Sequence, residues 1–529
     1  MSEFGIVYAI HIITVQFGSV VSKVCECLLR KGPLSSRDIS RLAESDINHN
    51  KVKDILYLLI QHNCVQAFSI EPPDGSESKA IVQYIVLFNN ILHRVRYNKF
   101  SRIVNEELDS KCGAVLDGLL SNGRLTLGQF IERDRDSGNT IGSEAIRDSL
   151  QKLVAARFVE RIPSPEPVLG NKEKEPAKRR GAKAAKILKE PETLEEQVVE
   201  AATPVDAIRF PLIFEEDSNS SLADDNSNIT EGKRKQRDVD TSDSSSGVIW
   251  RPNFEEFIHR LRHKACVEIV KERRDEGCAI VLRAMLEVGR SQEKKSTYEV
   301  LLTEFAIIFE TAPMSVGSIY EEVIKTEAGR TMLQERVEAC LDQLSATSSY
   351  LPAFVNEVND SYIVDYKSII SVAQKDEAVV MRRYGKEAFR MFRYLSQEGR
   401  FVETDKIADA ALTEKKDTPQ FLLKMWKDGY LHMQKLAVTA PGMYTPFLLW
   451  KVNKLIVTTQ MLDEMYHASL NLSLRLAHEL EAEKELLLLP LDKLEGPLKE
   501  RLKKVKAKRL LLSSTMFKLD DAIMLFHDF

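Results

Sequence analysis

The chain has 529 residues, 43% of them hydrophobic and 29% charged, with a formal net charge of −5. That length holds several domains, the acidic balance excludes a whole-surface electrostatic grip on nucleic acid, and no apolar run reaches the roughly 18 residues a membrane helix needs. Seven sparse cysteines, none in a Cys-x-x-Cys pair, give neither a disulfide framework nor a zinc cage and point to a reducing compartment.

The apolar start "MSEFGIVYAIHIITVQFGSVV" has no basic leading region, carries Glu3 and runs on into an amphipathic pattern, so it reads as a first helix rather than a secretion signal. A corner follows in "LLRKGPLSSRDISRLA". Gly32 and Pro33 stop one helix, Ser35 caps the next, Asp38 reaches back as a short capping box, and Leu34 staples against Ile39. The same grammar returns three times. In "SNGRLTLGQFIERD" Gly123 turns, Thr126 caps with Gln129, and Leu125 pairs with Phe130. In "TAPMSVGSIYEEV" Ser315 caps and Met314 pairs with Ile319; in "SQEGRFVETDKIAD" Val402 pairs with Ile407 after Gly399.

A further helix follows each corner, its buried face marked by Val52, Ile55, Leu56, Leu59 and Ile60; by Ile146, Leu150, Leu153 and Val154; by Val337, Cys340, Leu341 and Leu344; and by Leu422, Met425 and Trp426. Each of these helices ends in β-prone runs: "VQAFSI" with "IVQYIVLF", "FVERI", "FVNEV" with "YIVDY", and "YLHMQKL" with "YTPFLLW". Once 163–247 is set aside, the unit recurs at about 90–100 residues, the period of a winged-helix domain rather than of an all-α repeat array. The first helix of the third unit falls in either "CAIVLRAMLEV" or "STYEVLLTEFAIIFE".

Residues 163–247, rich in Pro, Ser and alternating charge blocks, read as a disordered linker. They contain "KRR" at 178–180 and "KRKQR" at 233–237, short clusters of the nuclear-import kind. Beyond "FLLWKV" the chain turns wholly helical. Leu498, Leu502, Val505, Arg509, Leu512, Met516, Leu519, Ile523 and Phe526 step by four and three as a coiled-coil seam, and Pro497 opens that helix after the bend "LLLLPLDKLEGPL". The preceding helix should fold back on it as an antiparallel hairpin. The basic run "KERLKKVKAKR" would then face Glu479, Glu481, Glu483 and Glu485, which makes it a salt-bridged helix pair rather than a DNA patch.

No phosphate-binding Gly loop, Gly-x-Ser-x-Gly elbow or His-Glu-x-x-His helix is present, and His259 and His263, four apart, lack a third ligand, so they read as solvent-facing. No active site and no cofactor are expected. The remaining functional signal is basic and aromatic. "HRVRYNKFSR" sets Arg94, Arg96, Lys99 and Arg102 beside Tyr97 and Phe100, a mixture suited to phosphates and bases or, equally, to a helix junction with aromatic core. "MRRYGKEAFRMFRY" adds Arg382, Arg383 and Lys386. The helix after the first corner offers only Lys51 and Lys53, poor equipment for reading base edges, so the winged helices read as docking modules.

Two winged helices, a charged linker, two more winged helices and a terminal helical hairpin form an order that resembles a known family. With the segments "FGSVVSKVCECLLRKGPLSSRDI", "ILYLLIQHNCV", "ILHRVRYNKF", "LLSNGRLT", "WRPNFEEFIHRLRHKACVEIV" and "RYGKEAFRMFRYL", the chain resembles the large winged-helix subunit of the RNA polymerase III initiation heterotrimer, a family related to the alpha subunit of transcription factor IIE. The resemblance implies a non-catalytic nuclear subunit that docks on the clamp of the polymerase's largest subunit. It also implies two smaller heterotrimer partners, promoter DNA and transcription factor IIIB as contacts, and a part in promoter opening on short untranslated RNA genes. A free-standing DNA-binding regulator of tandem winged helices is the alternative. The expected fold is mainly α with small β-wings: winged helices over 1–97, 98–162, 248–372 and 373–452, the linker at 163–247, and a coiled-coil hairpin over 453–529.

Overall fold

The computed structural model describes residues 2–43, 47–70, 81–136, 142–162, 168–169, 193–202, 209–210, 248–296, 313–348, 351–359, 361–374, 376–440, 443–488 and 496–529. They form two compact units, Ala9–Arg260 and Met1–Tyr8 with Leu261–Phe529.

In the first unit, α1 (Glu3–Phe17), whose first turns belong to the other unit, leads into a winged-helix module: α2 (Ser19–Lys31), α3 (Ser36–Leu42), α4 (His49–Gln61), β1 (Val65–Ile70) and β2 (Ile81–Val86). After α5 (Phe88–His93), a 3₁₀ turn at Arg94–Arg96 and α6 (Tyr97–Glu107) comes the second module: α7 (Ser110–Asn122), β3 (Leu125–Thr126), α8 (Leu127–Asp136), α9 (Ser143–Ala155) and β4 (Val159–Arg161). Then follow β5 (Val168–Leu169), α10 (Leu194–Ala202), β6 (Ile249–Pro252) and α11 (Phe254–Arg273), the last continuing into the other unit.

The second unit holds the third module, α12 (Glu276–Ser296), β7 (Met314–Ser315), α13 (Val316–Lys325), α14 (Gln334–Ser345), β8 (Val355–Val358) and β9 (Ser361–Val364). Helices α15 (Tyr366–Ala373) and α16 (Asp376–Tyr384) lead to the fourth: α17 (Lys386–Glu398), β10 (Val402–Glu403), α18 (Thr404–Ala411), α19 (Thr418–Lys427), β11 (Leu431–Ala440) and β12 (Met443–Val452). The chain closes with α20 (Lys454–Ala482), α21 (Lys484–Leu488) and α22 (Pro497–His527). Helix α12 carries "CAIVLRAMLEV" and packs on α13 and α14 as the first helix of its module, while "STYEVLLTEFAIIFE" lies, after Ser296, outside the described residues.

Each expected corner forms. The Ser35 hydroxyl accepts from the Asp38 amide and donates to the Asp38 carboxylate at 2.6 Å. Thr126 and Gln129 exchange both bonds of a capping box, at 3.0 and 3.4 Å, and Ser315 caps the Ser318 amide. The apolar residue of each corner also joins the corner to the sheet. Leu34 bridges Tyr84, Leu125 pairs with Trp250, Met314 with Tyr362 and Val402 with Trp450. An aromatic on the returning strand therefore stands opposite the corner in all four modules. Two residues on, Val86, Pro252, Val364 and Val452 meet Val65, Val159, Val355 and Leu431. Trp250 and Trp450 are among the most deeply buried large side chains, and the Trp450 indole donates to Thr404 at 2.9 Å.

This register corrects one expectation. Among the described residues "FVERI" pairs not with a nearby hairpin strand but, as β4, with β6, which lies beyond 163–247. Residues 249–260, expected to open the third module, close the second. Phe257 stacks on Phe100 and Phe158 at 4.6 and 4.9 Å, and Arg260 bonds Glu107 and Glu256 at 3.0 and 2.9 Å.

Nor is 163–247 without structure. Val168–Leu169 extends the first module's sheet as a parallel strand beside Ser69–Ile70, Val198 is buried with Phe68 and Ile85, and Glu195 accepts from the Phe88 amide. Arg209 forms ion pairs with Glu160 and Glu255. Composition misses this because Leu194 and Val198 give a short amphipathic helix inside a polar surround. Most of the rest of that segment, including both basic clusters, lies outside the described residues.

Modules two and three also share a helix start. Asp109 and Asp275 cap the Cys112 and Cys278 amides at 2.7 and 2.6 Å and reach across to Lys152 and Arg336. In the last segment α20 and α22 run antiparallel: Glu483 meets Arg501, Glu479 meets Lys508, and Tyr466 meets His527. Leu502, Val505 and Ile523 are buried along the expected seam, and Arg509 is exposed. No helix among the described residues is long and apolar enough to cross a membrane.

Gly123 marks the tightest backbone approach. Its φ is +77°, and a Cβ there would lie 2.0 Å from the Gln61 carbonyl oxygen, which accepts from the Arg124 amide at 2.9 Å. Gly123→Ala is expected to cost about 2 kcal/mol or more, combining backbone strain with the clash, and to lower the denaturant midpoint of the first unit. An unchanged midpoint would contradict the packing of α4 on this corner.

Candidate partner and nucleic-acid interfaces

The basic junction at 93–102 divides sharply when built from its helices. Arg94 and Arg96 fall on the 3₁₀ turn and point inward; Arg94 is buried and Arg96 is only 1% exposed. The Arg94 guanidinium donates to Gln16 and to the Tyr97 hydroxyl, and stacks over Phe17 and Tyr97 at 4.7 and 5.3 Å. Tyr97 lies parallel to Phe254, and Phe100 is fully buried. Of the two readings the residues allowed, the junction core holds for Arg94 and Arg96, and neither is a free surface cation. The tight turn accounts for it, since three residues of 3₁₀ helix rotate both side chains onto the packed side. Lys99 is half-buried, whereas Arg102 is exposed and pairs with Glu106 at 3.3 Å.

The arginine beside this core shapes its titration. Burial, with Arg94 nearby as a lesser cause, lowers the His62 pKa to about 4, so its ring is neutral against Phe17 at ordinary pH. Burial raises the Cys64 thiol to about 11, with Arg94 opposing, and so keeps it protonated and inert.

On the first module's third helix Lys51 and Lys53 are exposed, together with Asp54 and Tyr57. In the fourth module Arg382 and Lys386 are exposed, but Arg383 is engaged: it donates to the Tyr430 hydroxyl at 2.9 Å and pairs with Glu464. Sequence reasoning placed Trp426 on the buried face of α19; it is 39% exposed, beside exposed Leu423, Lys424 and Lys427. That helix carries no acidic residue from Thr418 to Lys427.

Two groups resemble ligand sets. Asp275, Cys278 and Cys340 bring ligand atoms within 4.8 Å of one another. The carboxylate already serves the Cys278 amide and Arg336, burial raises both thiols, and module two repeats the arrangement with Ser149 accepting the Cys112 thiol. The group is therefore a helix cap. His259 is exposed as expected, but His263 is half-buried and hydrogen-bonds the Tyr366 hydroxyl at 2.9 Å.

Four winged-helix modules, with charged side chains spent on packing and mixed basic and apolar faces turned outward, define a tandem winged-helix protein. The comparisons with known proteins agree. Residues 148–373 match the family described as RNA polymerase III subunit RPC82, residues 8–69 match the RNA polymerase III subunit RPC82 helix-turn-helix domain, and residues 377–452 match the POLR3C C-terminal winged-helix domain. Over 489 residues the chain is 23% identical to DNA-directed RNA polymerase III subunit RPC3 of Homo sapiens, covering 89% of this chain and 83% of the relative. It is 24% identical to that of Bos taurus, covering 89% and 84%, and 25% identical over 181 residues to that of Dictyostelium discoideum, covering 30% and 27%. The chain belongs to the RNA polymerase III subunit RPC82 family.

Arg96→Ala is expected to lower unfolding stability by roughly 2–3 kcal/mol, because it empties a packed polar site, whereas Lys51→Ala with Lys53→Ala stays within about 0.5 kcal/mol. Chemical denaturation of the purified chain measures both. Equal, small effects would mean that Arg96 is a surface cation after all.

Proposed function

We propose that the chain is a non-catalytic subunit of nuclear RNA polymerase III that docks on the clamp of the largest subunit with the two smaller heterotrimer subunits. It supports initiation and promoter opening on short untranslated RNA genes, with transcription factor IIIB as a further contact. The observation that carries this reading is the character of the third helices. The outward face of α19 combines Leu423 and Trp426 with Lys424 and Lys427, and that of α4 combines Tyr57 with Lys51 and Lys53. Exposed aromatic and aliphatic anchors beside cations suit a protein surface, and each helix offers one exposed amide, Asn50 and Gln420, with no arginine, short of the several such side chains that read base edges.

Promoter DNA is met by phosphate contacts only. The exposed basic candidates are Lys51, Lys53, Arg382 and Lys386, with Arg102 beside Glu106 and Lys99 half-buried; Arg94, Arg96 and Arg383 act by holding the modules in shape. Such contacts are sequence-indifferent and screened by salt.

Affinity isolation of the tagged chain from nuclei is expected to recover RNA polymerase III, including its largest subunit and two smaller partners, in near-equal amounts. Recovery without polymerase, together with tight sequence-specific duplex binding by the isolated chain, would overturn the reading in favour of a free-standing regulator.

A further inference from the structure

The basic run at the start of α22 is only partly neutralised by the facing helix. Arg501 and Lys508 meet Glu483 and Glu479, and Glu481 turns instead to Lys484. Lys499, Lys503, Lys504, Lys506 and Arg509 are exposed and have no ion-pair partner among the described residues. The positions of Lys499, Lys503 and Lys506 follow helical steps of four and three, so they share one stripe. The same stripe continues through Leu510, 72% exposed, to Phe517, 42% exposed, with Leu511 beside it at 67%. At 1.5 Å per residue this face is about 27 Å long, basic at one end and apolar at the other.

We propose that this outer face of α22 is a docking surface for an acidic amphipathic helix of another protein subunit of the polymerase. Aspartates or glutamates of the partner lie along Lys499, Lys503 and Lys506, and its leucine or aromatic side chains cover Leu510 and Phe517. Charge complementarity fixes the partner's sign. The apolar continuation selects protein over nucleic acid: a phosphate backbone would use the lysines and leave Leu510, Leu511 and Phe517 in water, where large exposed apolar side chains in a row mark a protein contact. The register follows too: whichever way the partner helix runs, its acidic half lies against the lysines, because the reverse would bury unpaired charge beside Phe517.

The proposal rests on the chain being a polymerase subunit, and the test separates the two. Purified polymerase containing the tagged chain is treated with a zero-length carbodiimide, which joins lysines to neighbouring carboxylates, and in parallel with an acetylating reagent that marks exposed lysines. The expected result is amide cross-links from Lys499, Lys503 or Lys506 to an acidic segment of one identified protein subunit. Acetylation of the same lysines should also fall at least about fivefold relative to the isolated chain. In addition, Leu510→Ser with Phe517→Ser should abolish those cross-links while the chain still binds the polymerase through its other modules. Equal acetylation free and assembled, cross-links confined to this chain, or protection that nuclease treatment removes, would each overturn the docking surface while leaving subunit membership intact. Absence of the chain from the polymerase would overturn the underlying reading itself.

Discussion

The first unit depends on a strand that arrives late in the sequence. Strands β3 and β4 cannot form the three-stranded sheet of a winged helix by themselves, and the third strand, Ile249–Pro252, stands on the far side of 163–247. Its Trp250 faces the corner at Leu125, its Arg251 bonds Glu160 at 2.6 Å, and the turns that follow place Phe254 and Phe257 against Tyr97, Phe100 and Phe158. The long insertion is therefore part of the second module's wing rather than a tether between halves. Closing a loop of that length carries an entropic cost that grows only slowly with length, and burial of Trp250, Phe254 and Phe257 offsets it. Within the insertion, 168–169 and 193–202 pack on the first module and Arg209 pairs with Glu160.

The junction between the first two modules is interior as well. Arg94 is held by Gln16, Phe17 and Tyr97, Arg96 is buried, and their planar guanidinium groups suit stacking and shared hydrogen bonds within a packed site. The chain thus uses this basic segment as structure. The lysines that remain outside on α4, α19 and α22 stand beside exposed Tyr57, Trp426, Leu510 and Phe517, the arrangement on which the proposed protein contacts rest.

The parts legible in the sequence were those set by neighbours in the chain. Ser35, Thr126 and Ser315 cap over three residues, so their grammar survives in any context, and the apolar faces of the third helices follow from a period of 3.6. The return strands carry a signal just as regular: Tyr84 to Phe88, Trp250 to Phe254 and Tyr362 to Tyr366 each run aromatic, any, branched or proline, any, aromatic, with Trp450 opening the fourth copy. Alignment on those aromatics assigns β6 to the second module; the expectation of short hairpins hid it behind the insertion. The burial of Arg94 and Arg96 was not legible, because a mixture of arginine and aromatic residues serves a core and a phosphate site equally well until the turn geometry decides which side faces water. Trp426 was misplaced for the opposite reason: at a helix edge, period alone does not separate a buried residue from a half-exposed neighbour.

Native-state hydrogen exchange of 249–251 tests the central claim most directly. If this strand closes the second module, its amides exchange as slowly as those of Val159–Arg161, and Trp250→Ala releases both segments together. Fast exchange of 249–251, with 125–126 and 159–161 still protected, would show that the second module closes without it and would contradict the account.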